Sequence, residues 1–363
     1  MDISVKEISL NRATLKQRHQ QLQVCKPGLR ARDAAQQLGV SECELLTCRQ
    51  GDGVTRLLDD AETILNQLLL LGEVMALTRN NECVHERKGI YNNASFFNQG
   101  QLAMGLFVNS DIDLRLFMAH WTYCFACVEP TKQGLRKSIQ FFDKSGMAVH
   151  KVYLTSESNE YAYDLLVKKF QHVDQEEVIN VVNYPIKDRD RPDAAIDWLG
   201  FRAAWESLQD THEFLSLLRK YQVGREQGFR NIGSDLAFRV DNSATARTLK
   251  MVCARHCDIM IFVGNRGCIQ IHTGPIGQVS QSSGWFNVLD PLFNLHLNTE
   301  NIASSWVTRK PTSDGIVTAL ELFNAEGESI ATLFGKRKPG EQELPLWREI
   351  LAELPARSVP DAA

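Results

Sequence analysis

Two stretches decide the fold: Ser-Ile-Gln-Phe-Phe-Asp-Lys-Ser-Gly at residues 138–146 and Ala-Leu-Glu-Leu-Phe-Asn-Ala-Glu-Gly at residues 319–327. In each, a strand-like run enters a turn that ends in glycine. The second stretch follows the first by 181 positions (327 − 146 = 181). A similarity of this kind at a fixed distance indicates an internal duplication.

A second pair of stretches supports the duplication. Residues 74–84, Val-Met-Ala-Leu-Thr-Arg-Asn-Asn-Glu-Cys-Val, match residues 259–269, Ile-Met-Ile-Phe-Val-Gly-Asn-Arg-Gly-Cys-Ile. Here the offset is 185 (268 − 83 = 185), and it carries Gly89 onto Gly274. Because the offset is nearly constant across distant parts of the chain, we predict two copies of one structural unit.

Apolar periodicity and turn residues predict the same order of elements in both halves, helices first and strands after them. In the first half the predicted helices are 8–24, 30–38, 41–47, 60–71 and 158–172, and the strands are 73–78, 82–87, 103–108, 112–117, 121–128, 137–142 and 147–153. In the second half they are helices 195–208, 211–221 and 242–256, and strands 257–263, 267–273, 285–289, 293–297, 304–308, 316–323 and 328–334.

These elements predict an α+β fold with an internal structural duplication. We expect an N-terminal repeat at 1–184 and a C-terminal repeat at 195–363, each a helical segment plus a large antiparallel sheet. The segment 185–194 carries charges and two prolines without apolar anchors, so it is predicted to be a linker.

Composition excludes several classes of protein. The 363 residues carry 44% apolar and 23% charged side chains and a net charge of −4, as in an ordinary globular protein. This charge gives no reason to expect a nucleic-acid partner, and no apolar run is long enough for membrane insertion. Nine cysteines dispersed through a long chain without a signal peptide predict reduced thiols and a cytoplasmic location.

The stretch 207–225 carries the leading candidate for a ligand-binding side chain. Asp210 and Glu213 have the spacing of a capping box, which predicts a helix with His212 in its first turn. The electropositive start of a helix disfavours imidazolium, and a neutral imidazole can offer a lone pair to a metal. The alternative is that His212 is a partly buried capping residue of this helix.

The two halves differ at polar positions. With an offset of 183 in the helical region, His212 falls opposite Leu29 and Arg225 opposite Glu42. In the strand region, where the offset is 185 (300 − 115 = 185), Arg115 and Phe117 fall opposite Glu300 and Ile302. A single site built from two diverged copies predicts such differences. Ordinary drift of surface residues predicts them as well.

Several motifs together resemble a known family. Residues 209–214, Gln-Asp-Thr-His-Glu-Phe, with Arg225 thirteen positions after His212, are similar to a segment of the cytoplasmic haem-trafficking and haem-degrading proteins of bacterial haem-uptake operons, the HemS/ChuS/PhuS type. Residues 111–117, Asp-Ile-Asp-Leu-Arg-Leu-Phe, are similar to that family's signature in the N-terminal half. The resemblance covers nearly the whole chain, including the duplication.

The resemblance implies two centrally stacked sheets and a haem in a cleft between the halves. It implies that His212 is the axial ligand of the haem iron and Arg115 lies on the distal side, where it would be the catalytic residue of an enzyme. Phe117 would lie near the porphyrin. Haem would be ligand or substrate, and no independent metal is predicted.

The resemblance also implies that Arg225 and Lys310 face haem propionates or distal waters, a role that suits cations. The family commonly has Tyr at the position of Phe334, so one hydroxyl of the expected pocket is absent. The corresponding residue of the first half, Tyr153, keeps its hydroxyl.

Two functions follow from the resemblance. In the first, the protein would accept imported haem and either transfer it or degrade it to release iron. In the second, it would be a pure carrier that hands haem to a separate haem oxygenase. A haem ABC importer is the implied donor. The residues do not separate carriage from degradation, and they indicate neither the reductant, the ring-opening product nor the oligomeric state.

Other histidines and cysteines are weaker candidates. Cys124 and Cys127 form a CxxC, but strand alternation places residues three apart on opposite faces, which argues against zinc or a redox pair. His85, His120 and His256 are possible transient haem ligands. A surface position is favoured for His85, and a register difference predicts that it faces the side of the sheet opposite to His272. Residues 30–47 resemble a helix-turn-helix without a basic recognition helix.

Overall fold

The computed structural model describes residues 5–99, 102–132, 134–185, 190–338 and 340–356. The chain divides into two compact units. The first unit comprises Met1–Thr78, Arg87–Pro185 and Asn265–Ile269, and the second unit comprises Arg79–Glu86, Ile186–Gly264 and Gln270–Ala363.

The α-helices of the described residues follow the same order in both units. In the first unit they are α1 (Val5–Cys25), α2 (Ala31–Leu38), α3 (Glu42–Thr47), α4 (Ala61–Gln67) and α5 (Glu160–Phe170). In the second unit they are α6 (Trp198–Glu206), α7 (Glu213–Tyr221), α8 (Arg225–Asn231), α9 (Ala244–Ala254) and α10 (Pro345–Ala352).

The strands of the described residues belong to two large antiparallel sheets. In the N-terminal half of the sequence they are β1 (Val54–Arg56), β2 (Gly72–Arg79), β3 (Cys83–Gly89), β4 (Ala94–Gln99), β5 (Leu102–Val108), β6 (Asp113–Phe117), β7 (Tyr123–Thr131), β8 (Gly134–Phe142) and β9 (Ala148–Ser158). In the C-terminal half they are β10 (Ala237–Val240), β11 (Ile259–Gly264), β12 (Cys268–Gly274), β13 (Val279–Ser282), β14 (Trp285–Leu289), β15 (Phe293–Asn298), β16 (Ser304–Thr312), β17 (Gly315–Phe323) and β18 (Ser329–Gly335).

The strands pair in the same way in the two units. In the first unit β1, β7, β8, β9 and β2 are consecutive antiparallel neighbours, and β4, β5 and β6 form a second antiparallel group. In the second unit β10, β16, β17, β18 and β11 have the corresponding order, and β13, β14 and β15 form the smaller group. The predicted α+β fold with a structural duplication is therefore confirmed.

Helices cover both faces of each five-stranded group. In the first unit α4 and α5 pack with Ile139 and Val152 on one face, and α3 packs with Phe125 and Phe142 on the other. In the second unit α9 and α10 cover one face, and α6, α7 and α8 cover the face that carries Trp306. Consecutive residues at the ends of β8 and β17 are therefore buried, because both faces of these strands are covered.

Two local predictions have different outcomes. Of the predicted linker 185–194, residues 186–189 lie outside the described residues, and a short 3-10 turn occupies Asp193–Ala195. The two helices around Gly39 form as predicted, and Ser41 with Glu44 makes a complete capping box at the start of α3. Gly39 has φ of +73°, which suits glycine at a helix end.

Candidate functional site

The predicted site residues are divided between the two units. Arg115 and Phe117 lie on β6 in the first unit. The other four lie in the second unit. His212 directly precedes α7, Arg225 begins α8, Lys310 lies on β16, and Phe334 lies on β18.

His212 lies one residue outside α7 rather than in its first turn. The side chain of Asp210 accepts from the backbone N–H of His212 at 2.8 Å, and Glu213 reaches back to the N–H of Gln209 at 3.0 Å. The N–H of Glu213 bonds the carbonyl of Asp210 at 3.1 Å, which is an i to i+3 contact. These bonds close a tight turn, so the α-helix begins three residues after the predicted cap.

The imidazole of His212 is presented to solvent in a fixed orientation. Its Nδ1 lies 2.6 Å from Oδ1 of Asp210, and its side chain is 87% exposed. Within the described part of the chain, Nε2 makes no hydrogen bond. The backbone N–H and the ring of His212 lower the pKa of Asp210, which keeps this carboxylate ionised. A carboxylate on Nδ1 is a common support for an imidazole that binds a metal through Nε2.

A cluster of charged groups lies beside α7, and its centre is Glu321 on β17. Oε1 of Glu321 accepts from Nζ of Lys310 at 2.6 Å and from the hydroxyl of Thr308 at 2.8 Å. Oε2 accepts from Nε of Arg225 at 2.6 Å. Glu321 is fully buried, whereas the side chain of Arg225 is 32% exposed. The only cation of this cluster that reaches solvent is therefore Arg225.

Burial and ion pairing oppose each other within this cluster. Burial disfavours the ionised carboxylate, but the cations of Arg225 and Lys310 outweigh it and lower the pKa of Glu321 to about 2. Burial lowers the pKa of Lys310 to about 8, although Glu321 opposes this shift. At neutral pH all three groups are charged, and the cluster has one net positive charge.

Aromatic rings surround both cations. Nζ of Lys310 lies 4.6 Å from the ring centroid of Phe214, and the guanidinium carbon of Arg225 lies 5.3 Å from the same centroid. Phe229 and Trp205 lie close to Phe214, with ring centroids 6.0 Å and 4.6 Å away. Since Phe214 belongs to α7, the helix that follows His212 is fixed against the charged cluster.

Phe334 lies on the face of the sheet that carries Glu321. Strand pairing places Phe334 opposite Ala319 and Thr332 opposite Glu321, and paired residues of antiparallel strands share a face. The ring of Phe334 contacts that of Phe262, with centroids 5.1 Å apart. Phe334 is half-buried, so a hydroxyl at this position would reach a partly solvated surface.

In the first unit Arg115 and Phe117 project from one face of β6. Nη1 of Arg115 donates to the carboxylate of Asp113 and to the carbonyl of Leu114. Burial raises the pKa of Asp113, although Arg115 opposes this effect. The backbone N–H of Phe117 donates to the carbonyl of Gly267 at 2.9 Å, which fixes the end of the strand. Arg115 and Phe117 are both half-buried.

The prediction that His85 lies at the surface is wrong, because His85 and His272 are both buried. Both contact Phe293 on β15, with ring centroids 4.9 Å away for His85 and 3.8 Å for His272. The register argument that placed them on opposite sides also fails. The position equivalent to His85 is Gln270 (85 + 185 = 270), which lies two residues before His272, and residues two apart on a strand share a face.

The remaining histidines differ in environment. Nδ1 of His120 lies 3.1 Å from the hydroxyl of Tyr184, and burial lowers the pKa of His120. His256 is exposed just after α9, with φ of +52°. Among the described residues, no group of three or more histidine, cysteine or acidic side chains has an arrangement that could hold a metal ion.

The cysteines follow the strand alternation. Cys124 and Cys127 lie in different buried clusters on opposite faces of β7, as the alternation predicts. All nine cysteines lie within the described residues, and none forms a disulfide.

Sequence reasoning missed Glu321, the residue that organises the charged cluster. The signal was present in residues 319–323, where one carboxylate interrupts an apolar strand. The corresponding position of the first half is Gln140 (321 − 140 = 181). A buried acid at a position where the other half carries a neutral amide requires a cation nearby.

The fold and these residues define a class: duplicated α+β proteins in which a histidine and basic residues are candidates for binding an anionic ligand. The family described as "Haemin-degrading HemS.ChuX domain" matches residues 39–170 and 222–354. The chain belongs to this family.

Characterised relatives and solved structures agree with this assignment. The chain is 42% identical to the hemin transport protein HemS of Yersinia enterocolitica over 331 residues, which covers 90% of this chain and 93% of that protein. The heme-binding protein PhuS of Pseudomonas aeruginosa, crystallised in the holo form, superimposes with a TM-score of 0.92 at 45% identity, covering 95% of this chain and 99% of the other. The heme degrading enzyme ChuS of Escherichia coli O157:H7 gives a TM-score of 0.86 at 39% identity, with coverage of 95% and 99%. Within the described residues of the present chain, no helix is both long and apolar enough to cross a membrane.

Proposed function

We propose that this protein binds haem for iron acquisition, with His212 as the axial ligand of the iron. The observation that carries the proposal is the exposed imidazole of His212, whose Nδ1 is held by Asp210 while Nε2 points away from that bond. Haem requires a lone pair for its iron, apolar contacts for its ring and cations for its carboxylates. His212 supplies the first, and Arg225 supplies an exposed cation in the same unit.

The relatives support the ligand by their descriptions. HemS is described as a hemin transport protein, and PhuS as a heme-binding protein. In the present chain a single histidine ligand leaves one iron position open, which is compatible with transfer and with degradation. For the distal side we propose Arg115, with Phe117 near the porphyrin, as the resemblance implies.

The ligand assignment is tested by titrating the protein with haemin and following the Soret band. His212→Ala should shift the Soret maximum and weaken haemin binding by on the order of 100-fold, because the iron loses its protein ligand. The matched control is His256→Ala, which removes another exposed histidine and should bind haemin like the wild type. Equal effects of the two substitutions would refute the assignment.

Carriage and degradation are two forms of this function, and the wider set of relatives contains both descriptions. ChuS is described as a heme oxygenase, whereas PhuS is described only as binding heme. We propose that the protein transfers haem or degrades it to release iron, with pure carriage to a separate oxygenase as the alternative. Haemin-loaded protein with a reductant in air distinguishes the two: loss of the Soret band despite catalase, with a tetrapyrrole product, indicates an enzyme.

We further propose a cytoplasmic location, a haem ABC importer as donor and, for the carrier, a haem oxygenase as acceptor. Support comes from the family, whose relatives include the hemin transport protein HmuS of Yersinia pestis, 41% identical over 346 residues. Transfer from haem-loaded importer to purified protein, followed by the Soret band, tests the first partner.

A further inference from the structure

Glu321 makes more polar contacts than any cation around it. Its two oxygens accept from Lys310, Thr308 and Arg225, at distances between 2.6 and 2.8 Å. Among the described residues the side chain of Arg225 forms a hydrogen bond through Nε, whereas its terminal nitrogens Nη1 and Nη2 make none there. An arginine fixed at Nε still presents two parallel donors to a carboxylate.

We propose that Glu321 is a positioning residue that orients Arg225 toward a carboxylate of the bound ligand, and that Lys310 is the counterion of Glu321 rather than a ligand contact. The proposal rests on haem binding as the proposed function. It changes the expected role of Lys310, which the family resemblance placed at a propionate or a distal water. It also adds a residue for which no role was predicted.

The burial of the two cations supports this division of roles. The side chain of Lys310 is 3% exposed, whereas that of Arg225 is 32% exposed. Nζ of Lys310 already donates to Glu321 and, at 2.9 Å, to the hydroxyl of Thr308, and its third side faces the ring of Phe214. An anionic ligand therefore meets Arg225, while Lys310 keeps Glu321 ionised behind it.

The choice of variant decides whether the test measures orientation or charge. Removing Glu321 alone leaves Lys310 buried without its carboxylate, which destabilises the fold and changes the charge of the cluster. The double variant Glu321→Gln with Lys310→Met removes one acid and one base together. The net charge stays the same and Arg225 is retained. A change in haemin affinity therefore measures the effect of removing the carboxylate that fixes the guanidinium of Arg225.

The experiment compares four proteins: the wild type, Arg225→Gln, the double variant, and the triple variant that combines all three substitutions. Each is titrated with haemin and with iron protoporphyrin dimethyl ester, which lacks the free carboxylates. Arg225→Gln should bind haemin about tenfold more weakly, as expected for loss of a charge-assisted hydrogen bond. The double variant should bind about fivefold more weakly, as expected when a fixed side chain becomes mobile.

The double-mutant cycle tests whether Glu321 acts through Arg225. The triple variant should match Arg225→Gln, because Glu321 has nothing to orient once the guanidinium is absent. For the dimethyl ester, the double variant should match the wild type. A purely structural role for Glu321 would instead give independent, additive losses and would weaken both porphyrins equally, and either result would overturn the proposal.

A milder variant keeps the test decisive if the double variant does not fold. Thr308→Val removes one hydrogen bond to Oε1 of Glu321 and should weaken haemin binding about twofold, with no further loss in the Arg225→Gln protein. Wild-type affinity in the Thr308→Val protein, or in a folded double variant, would refute the positioning role. Failure of the proposed function looks different, since the wild type itself would not bind haemin.

Discussion

Each unit carries an ion pair that joins the first residue of a helix to a strand, and the two helical partners occupy corresponding positions but have opposite charges. In the first unit the acid is on the helix: Glu42 of α3 accepts from Lys151 of β9 at 3.3 Å, and both are buried. In the second unit the corresponding helical position holds the base Arg225 (225 − 42 = 183), and the acid Glu321 lies on β17. An ion pair between helix and sheet is thus present in both units, but only in the second unit is the helical partner partly exposed to solvent.

The difference shows how a duplicated scaffold can acquire one binding residue. In the first unit Gln140 occupies the position that corresponds to Glu321. The Nε2 of Gln140 donates to the hydroxyl of Ser138 at 3.1 Å. Glu129 occupies the position in the first unit that corresponds to Lys310 (310 − 129 = 181). It forms an ion pair with Arg49 at 2.9 Å near the surface. Changes at shared positions, without a change of fold, therefore distinguish the candidate site from its counterpart.

The largest effect should come from breaking the pair of the first unit. Lys151→Met leaves the buried carboxylate of Glu42 without this cation and should lower the free energy of unfolding by about 3 kcal/mol, measured by urea denaturation. Haemin affinity should stay within about twofold of the wild type, because this pair presents no exposed cation.

The control for this prediction is the double variant Glu42→Gln with Lys151→Met, which removes both charges. It should recover most of the stability lost in Lys151→Met, since an uncharged buried pair has no uncompensated carboxylate. A Lys151→Met protein that is stable but loses haemin would contradict the contrast between the units.

A second difference concerns a buried histidine in the first unit. Nε2 of His150 lies 2.5 Å from the hydroxyl of Tyr91, and Nδ1 lies 2.8 Å from the hydroxyl of Thr78. Burial lowers the pKa of His150 to about 3. The corresponding residues of the second unit are apolar: Ala331 for His150 (331 − 150 = 181), Val263 for Thr78 (263 − 78 = 185) and Ile276 for Tyr91 (276 − 91 = 185).

This histidine predicts acid sensitivity of the fold. Because its pKa lies below the ordinary value of 6.5, the unfolded chain binds the proton first. Stability is therefore complete above pH 6.5 and is lost as pH falls toward 3. Between pH 7 and pH 5 the loss due to His150 should be about 2 kcal/mol.

Urea denaturation of the wild type and of His150→Gln at several pH values measures this loss. The difference between the two proteins isolates His150, since burial also lowers the pKa of His19 and His120. His150→Gln should be less sensitive to acid over this range. Parallel pH profiles for the two proteins would show that His150 titrates normally.

The order of the larger elements was readable from local patterns, while short polar elements were not. Alternation and turn residues placed β8 and β17, where each strand ends in a glycine turn. The strands β4 and β13 were missed because Ala-Ser-Phe-Phe-Asn-Gln and Val-Ser-Gln-Ser show little alternation. The helix α8 was missed because it has seven residues with Gly228 in its middle.

The candidate site was predictable only where residues that are neighbours in the sequence carry the signal. Asp210, His212 and Glu213 are neighbours in the sequence, so their spacing alone indicates an imidazole beside a helix start. The partners of Arg225 could not be read in this way, because Glu321 lies 96 positions away (321 − 225 = 96) and meets it only through packing of α8 on β17. The buried state of Lys310 likewise depends on Trp205, Phe214 and Phe229.

The smallest effect expected from comparing the two units concerns the aromatic position that differs between them. Phe334 corresponds to Tyr153 (334 − 153 = 181), which is buried with the guanidinium of Arg136 4.9 Å from its ring centroid. Phe334→Tyr adds a hydroxyl on the half-buried face that carries Glu321, so it should bind haemin about threefold more tightly through one further hydrogen bond. Tyr153→Phe, the matched change in the first unit, should leave haemin affinity unchanged in the same Soret titration. If the Tyr153 variant had the larger effect, the ligand would depend on the first unit's aromatic position, and the assignment of Phe334 to the site would be wrong.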